Sequence, residues 1–328
     1  MPKVLFYISS HSLSGSLLRT EALVKSLTRL GRGWEIMVRS PIALPEWGDI
    51  PGLLWGSVPI PEPPLSQDGG RLREWVEEWV KGWDLWLDGE REMVREFDPL
   101  VILSDMAPQP LVLAQESVVP GWFIGHFNWF AYLAQFIPIS GALDEVGLAY
   151  EGAQVAFVPP LSWGQGIFPL LQEIPLVGGT LDEEMVRSLR FQAMKKGFPI
   201  YLDSLLDTCK GWLEGLPSLG PLTWLEGEGG LQAAQLALVE ARYSPLTVAL
   251  RGQIPCVVYH QGWEPMGSTA REMEALGVAL ALERGERPSP EEVSCLLNGA
   301  LDAHKTLPSL YRLEGSQFVV EQLESLSL

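Results

Sequence analysis

Short apolar runs alternate along this chain with longer stretches whose apolar residues recur at helical spacing, and that alternation restricts the fold more than any other feature. Residues 4–8 are apolar, residues 9–16 are rich in Ser and Gly, and helical spacing follows through 17–30. The reading is strand, loop, helix. Residues 35–38 make a second strand, and 41–64 a connection punctuated by Pro and Gly. Residues 71–97 read as one long helix with Trp75, Trp79, Trp83 and Trp86 on one face. Residues 100–103 form a strand ending in Ser104 and Asp105, 111–116 a helix, and 122–124 a strand. Strands that alternate with helices in this way pair in parallel and are covered on both faces.

The second half repeats the pattern, with strands expected at 156–158, 200–202, 222–225, 236–239 and 256–259 and helices at 205–213, 269–276 and 290–304. A length of 328 residues suits two domains. The expected division is 1–176, 177–307 and a final segment 308–328 that packs back across the boundary, with the PLVGG run at 175–179 as linker. Two doubly wound sheets place their ligand loops at the carboxyl ends of the strands, so both sets of loops are expected to face one cleft.

Composition removes several functions. A net charge of −18 repels nucleic-acid phosphates and anionic headgroups, so nucleic acid is not an expected partner. No apolar run approaches the roughly 18 residues of a membrane span, and the amino terminus lacks a signal-peptide core. Three cysteines, Cys209, Cys256 and Cys295, without C-x-x-C spacing fit a reducing, cytoplasmic setting and no structural zinc. No metal site is expected: D-x-D and H-E-x-x-H are both missing, as are G-x-S-x-G and the G-x-x-x-x-G-K phosphate loop.

Three segments in order carry a family resemblance. FYISSHSLSGSLLRTEALVKSL, LVILSDMAPQPLVLAQESVVPGWFIGHFNWF and AAQLALVEARYSPLTVALRGQIPCVVYHQGWEPMGSTAREMEALG resemble landmarks of the GT-B glycosyltransferases. More narrowly they resemble the branch of the peptidoglycan lipid-linked N-acetylglucosaminyltransferase and its uncharacterised relatives. The resemblance implies two Rossmann-like doubly wound domains and an inverting, metal-independent transfer of a hexose from a nucleotide-diphosphate sugar, most simply UDP-linked, to a saccharide or lipid-linked hydroxyl. No cofactor is implied beyond that donor.

It also implies residue roles. In the C-terminal domain Arg242, Ser244 and Thr247 stand at the helix that would face the pyrophosphate, Glu264 and Thr269 at the loop for the sugar, and residues 226–230 at the loop for the base. In the N-terminal domain His11 and Asp105 are the candidate bases, with Ser12, His126 and Asn128 on the acceptor side. Plainer roles compete for each. His11 also reads as an ordinary loop residue, Asp105 as a helix cap, His126 and Asn128 as parts of an aromatic corner beside Phe127 and Trp129, and Arg242 as a neutraliser of Glu240. Glu226 and Glu228 read as a solvated turn, and Glu264 as a surface acid.

The chain departs from the family pattern at three points. Gly15 replaces the second His of the opening loop, the ribose-binding Glu falls on Val248 or Leu250, and Asp203-Ser204-Leu205-Leu206 replaces a G-S-x-G phosphate loop. These departures support an alternative, a catalytically impaired subunit that binds a partner protein, or a second copy, through the Trp75, Trp79, Trp83 and Trp86 face. That stripe also reads as core, and its acidic neighbours Glu74, Glu77, Glu78 and Asp84 disfavour a peripheral membrane contact. A weaker alternative is a nucleotide-sugar epimerase, which shares the architecture.

Overall fold

The computed structural model describes residues 1–9, 15–29, 33–41, 50, 52–64, 66–178, 183–203, 206, 210–214, 219–312 and 314–326. His11, Ser12 and Cys209 lie outside the described residues, as do Ser204 and Leu205. The chain divides into two compact units, Met1–Val177 with Glu314–Leu328, and Gly178–Leu313.

The first unit begins β1 (Lys3–Ile8), α1 (Ser16–Arg29), β2 (Glu35–Ser40), β3 (Leu53–Ser57), α2 (Gly69–Lys81), α3 (Trp83–Phe97) and β4 (Val101–Asp105). It continues with α4 (Gln109–Glu116), β5 (Gly121–Ile124), α5 (Trp129–Leu133), α6 (Gly141–Glu151), β6 (Val155–Val158) and β7 (Leu171–Glu173). The strands form one parallel sheet in the order β3-β2-β1-β4-β5-β6-β7. Side chains of a strand alternate between faces, and both faces are buried here. Val4, Phe6 and Ile8 pack with the α1 residues Leu23, Val24 and Leu27 and with Val319, Val320 and Leu323 of the chain's last helix. Leu5 and Tyr7 point the other way, into Leu87, Val94 and Phe97 of α3. That helix is pinned by Glu90, which accepts from the Tyr7 hydroxyl at 2.8 Å and from Arg39 Nε at 3.0 Å.

Two expectations change in this unit. The long tryptophan helix is two helices that break at Gly82, one of two glycines in the run, whose N–H still reaches Trp79 O at 3.1 Å; Gly89 stays inside α3. The connection over 41–64 contains β3, whose edge position leaves Leu54 and Trp55 exposed and so hides the usual apolar alternation.

The second unit contains α7 (Glu183–Met194), β8 (Phe198–Leu202), α8 (Lys210–Leu213), β9 (Leu222–Leu225), α9 (Gly227–Ala233), β10 (Leu236–Glu240) and α10 (Tyr243–Gly252). Then come β11 (Cys256–His260), α11 (Met266–Ala275), β12 (Ala279–Glu283), α12 (Pro290–Thr306) and α13 (Ser309–Arg312), while α14 (Ser316–Leu326) belongs to the first unit. Its parallel sheet runs β12-β11-β10-β8-β9. Leu236, Leu238, Val257 and Tyr259 face Val293, Leu296 and Ala300 of α12, whereas Ala237, Val239, Cys256 and Val258 face away and are buried as well. Residues 227–230, read from sequence as part of a turn, are the first turn of α9; Gly227 takes φ +69°, which lets the chain enter the helix directly from Glu226. Among the described residues no helix is long and apolar enough to cross a membrane.

Candidate functional site

Ligands of open parallel sheets gather outside the carboxyl ends of the strands at the point where strand order reverses. In the first sheet that point lies between β1 and β4, and in the second between β8 and β10. Each reversal point holds an arginine bound to an aspartate.

In the first unit the aspartate is Asp105, the last residue of β4, and the arginine is Arg19, one turn into α1. Arg19 Nε donates to Asp105 Oδ2 at 3.1 Å, and a second guanidinium nitrogen donates to Oδ1. The fork is shared, since Arg19 also lies 3.4 Å from His126 Nδ1 and 3.4 Å from Ser16 Oγ. Arg19 and Asp105 are wholly buried and His126 nearly so. Burial raises the Asp105 carboxyl above its usual range, against the opposing pull of Arg19 and Ser16. His126 is held well below the ordinary histidine value, first by burial and then by the Arg19 charge. Because a guanidinium only donates, His126 Nδ1 is the acceptor and the neutral ring carries its proton on Nε2. The structure thus brings Asp105 and His126 together through a residue absent from the sequence-derived set.

Asn128 stands apart from this cluster. Its Oδ1 accepts from Ala131 N at 2.8 Å as the cap of α5, and its Nδ2 donates to Gly164 O at 2.5 Å. The Phe127, Trp129 and Tyr132 rings pack edge-to-face around that corner. Gly15, where the family pattern has histidine, has φ +59°, a backbone conformation that strains residues with a Cβ.

In the second unit the aspartate is Asp203, following β8, and the arginine is Arg242, the residue capping α10. They form a close ion pair, with Glu240 Oε2 a further 3.8 Å from Arg242 Nε. Arg242 therefore answers Asp203 first and Glu240 second. Burial raises the Glu240 carboxyl, Arg242 and Arg284 lower it, and Asp203 raises it further. Unlike Arg19, the Arg242 side chain keeps 21% of its surface in solvent, and half-buried Ser244 follows in the first turn. Free N–H groups and the helix dipole favour an anion at such an end. Thr247 is buried one turn deeper, its hydroxyl donating to Tyr243 O at 2.9 Å. Val248 and Leu250 are buried too, so both positions aligned with the ribose acid belong to the packed face of α10.

Glu264 lies on the adjoining β11–α11 connection and Thr269 in the first turn of α11. Glu264 accepts from Ser268 N at 2.6 Å and pairs with Arg271. Burial raises its carboxyl, but the bonds from Ser268 and Arg271 outweigh that and hold it below the usual range. Thr269 is buried, its N–H bonded to Pro265 O at 3.0 Å. Among the described residues no three His, Cys, Asp or Glu side chains form a group able to hold a metal ion.

Sequence reasoning missed two residues. Asp203 was visible as the end of a strand, but its pairing with Arg242 was not. Arg19 left a single signal, a cation on the helix face that also carries Leu23 and Leu27, and its partner is 86 positions away.

No protein-family model matches this chain, and no curated protein matches it in sequence. Solved structures do match along its whole length. The glycotransferase of kitacinnamycin aligns over 99% of both chains with a TM-score of 0.68 at 15% identity. The spinosyn rhamnosyltransferase SpnG, complexed with thymidine diphosphate, aligns over 99% of this chain and 100% of its own with a TM-score of 0.65 at 14% identity. UGT2 of Phytolacca americana, complexed with UDP-2-fluoro-glucose and pterostilbene, aligns over 100% of both chains with a TM-score of 0.61 at 10% identity. At these identities the likeness is one of architecture, and the architecture is the GT-B glycosyltransferase fold.

Proposed function

We propose that this chain is a glycosyltransferase that moves a sugar from a nucleotide diphosphate to a hydroxyl acceptor. The observation that carries the reading is the pair of sheet reversal points, each with an arginine at its carboxyl edge, in a fold matched end to end by transferases with nucleotide diphosphates in their complexes. Arg242, Ser244 and the start of α10 would hold the donor diphosphate, with Asp203 the group that phosphate oxygens replace on Arg242. Glu264 would receive a sugar hydroxyl, with Thr269 shaping that loop and Thr247 seating α10.

The reaction is assigned as inverting and metal-independent. The acceptor oxygen attacks the anomeric carbon as the bond to the diphosphate breaks, and a base takes the hydroxyl proton. The diphosphate leaves with the bond electrons, so stabilising its charge is the largest electrostatic task. His11 is the proposed base and Ser12 a proposed acceptor contact. Asp105, neutralised by Arg19, and His126, held neutral, order the acceptor side instead of moving the proton, with Asn128 fixing α5. The narrower tie to the peptidoglycan branch rests on the three sequence landmarks.

Calorimetric titration with UDP and with thymidine diphosphate tests the donor site. Micromolar binding of either is expected, and a folded protein that binds neither would overturn the reading. Turnover unchanged by chelator and an inverted anomer in the product would complete the assignment.

A further inference from the structure

The tryptophan stripe builds a cavity. Trp75, Trp79, Trp83 and Trp86 line a space of about 260 Å³ together with Pro61, Glu78, Gly82 and Gln109. Neighbouring rings are set at an angle, Trp75 and Trp79 by 43° and Trp79 and Trp83 by 88°, so both indole faces and indole edges are offered. The wall is fixed from behind, where Trp86 meets the Tyr7 ring at 5.5 Å and donates its N–H to Pro59 O at 2.9 Å. Pro59 and Pro61 follow β3, and Gln109 opens α4 four residues beyond Asp105, which puts the cavity at the carboxyl edge of the first sheet.

Its chemistry is selective. Glu78, ion-paired with Lys81 at 2.7 Å, is the one charged group among the described residues that line it, and no lining residue is a cation, so the cavity offers phosphates and carboxylates no counter-charge. The volume falls just below the ~300–1,000 Å³ of sites for whole drug-sized ligands, enough for about two fused rings. Among the described residues the indole N–H groups of Trp79 and Trp83 and the Gln109 amide oxygen are buried without a hydrogen-bond partner. Two donors and one acceptor suit a hydroxyl, which accepts from an indole and donates to the amide; an ether satisfies only the donors and an ammonium only the acceptor. All three groups are closed to solvent, so pairing with them requires a rotamer shift in the wall.

We propose that this cavity binds the ring of a neutral, hydroxyl-bearing aromatic or alicyclic compound. The inference rests on the transferase reading for its biological meaning, because a ring bound here would be the acceptor, and it selects a ring-bearing acceptor over a saccharide or lipid-linked one.

The probe is 2-naphthol, followed by calorimetry and tryptophan fluorescence, with N-acetylglucosamine as the saccharide control and UDP and thymidine diphosphate titrated separately. Naphthol should bind with a fluorescence change and the saccharide should not. Trp75→Ala, which removes a half-buried wall, and Gln109→Leu, which removes the acceptor atom, should each weaken naphthol about tenfold and leave nucleotide affinity unchanged. No naphthol binding, binding indifferent to both substitutions, or preference for the saccharide would overturn the proposal. Naphthol binding that depends on Trp75 without any nucleotide binding would uphold the cavity and overturn the transferase reading; nucleotide binding without naphthol would do the reverse.

Discussion

The two reversal points carry the same pair of residue types in opposite surroundings. Arg19 and Asp105 have no exposed side-chain surface, whereas Arg242 keeps 21% of its side chain exposed beside an Asp203 that keeps 4%. A buried guanidinium held by both carboxylate oxygens and sharing a histidine cannot leave them for a ligand without stranding a charge in a medium of low dielectric. A guanidinium that reaches solvent can exchange its carboxylate for a phosphate at modest cost. The first pair therefore organises its edge of the sheet, and the second is the one equipped to bind.

The sharpest way to break this comparison is to remove each arginine. Arg19→Met leaves Asp105 buried without its cation, so the carboxyl must either bury an unpaired charge or take up a proton, and the first unit should lose about 3–5 kcal/mol in chemical denaturation. Replacing both partners, Arg19→Met with Asp105→Leu, should restore most of that loss, because an apolar pair of similar volume needs no solvation. A single variant that loses less than about 1 kcal/mol would mean the pair does not organise the edge.

Arg242→Ala should act on binding more than on folding. Nucleotide diphosphate affinity should fall by about 1.5–3 kcal/mol, the worth of a charge-assisted contact, with a smaller change in unfolding. Asp203→Asn removes the competing carboxylate and should tighten binding a few-fold. Equal nucleotide affinities in all three proteins, measured by calorimetry, would erase the functional half of the comparison.

What the sequence disclosed follows the range of the interactions. Alternating runs are local, so the strands expected at 4–8, 100–103 and 236–239 fall within a residue or two of β1, β4 and β10, and the strand-end position of Asp105 could be read directly. β3 could not, because its edge location leaves Leu54 and Trp55 in solvent, nor could α7, where Ala193 is the one buried residue among those described. The break at Gly82 was legible as a glycine, but the surrounding tryptophan spacing argued for continuity. Site chemistry was harder still. Whether Asp105 is a base, a cap or half of an ion pair depends on Arg19, and whether Arg242 serves Glu240 or Asp203 depends on how β8 and β10 lie side by side.

Acidity should separate the units through His126. Its folded value is depressed, so its neutral form stabilises the first unit above an unfolded value of about 6.5, and that stability is lost as pH falls towards the folded value. Asp105 has the opposite sign, since its folded value is raised and its contribution is lost as pH rises through that value. The His126 contribution should therefore make unfolding of the first unit easier from pH 7 to pH 5, and His126→Asn should remove that contribution. His304, also depressed by burial, gives the second unit a slope of the same sign, which His126→Asn should leave untouched.

Salt is expected to give the smallest difference and still distinguishes the pairs. Raising ionic strength from about 0.1 to 1 M shortens the screening length from about 10 to 3 Å. Ions cannot approach Arg19 and Asp105, so the cost of Arg19→Met should be the same at both concentrations. They can reach Arg242, and they can reach Arg271, whose side chain is 57% exposed in its pair with Glu264. The stability that Arg271→Ala removes should accordingly shrink with salt, within the roughly 0–1 kcal/mol of an exposed pair. Nucleotide diphosphate affinity should fall as well, because chloride competes for the charge the diphosphate needs. A salt-independent affinity, set against a salt-dependent Arg19→Met penalty, would reverse the assignment of the sealed pair and the open one.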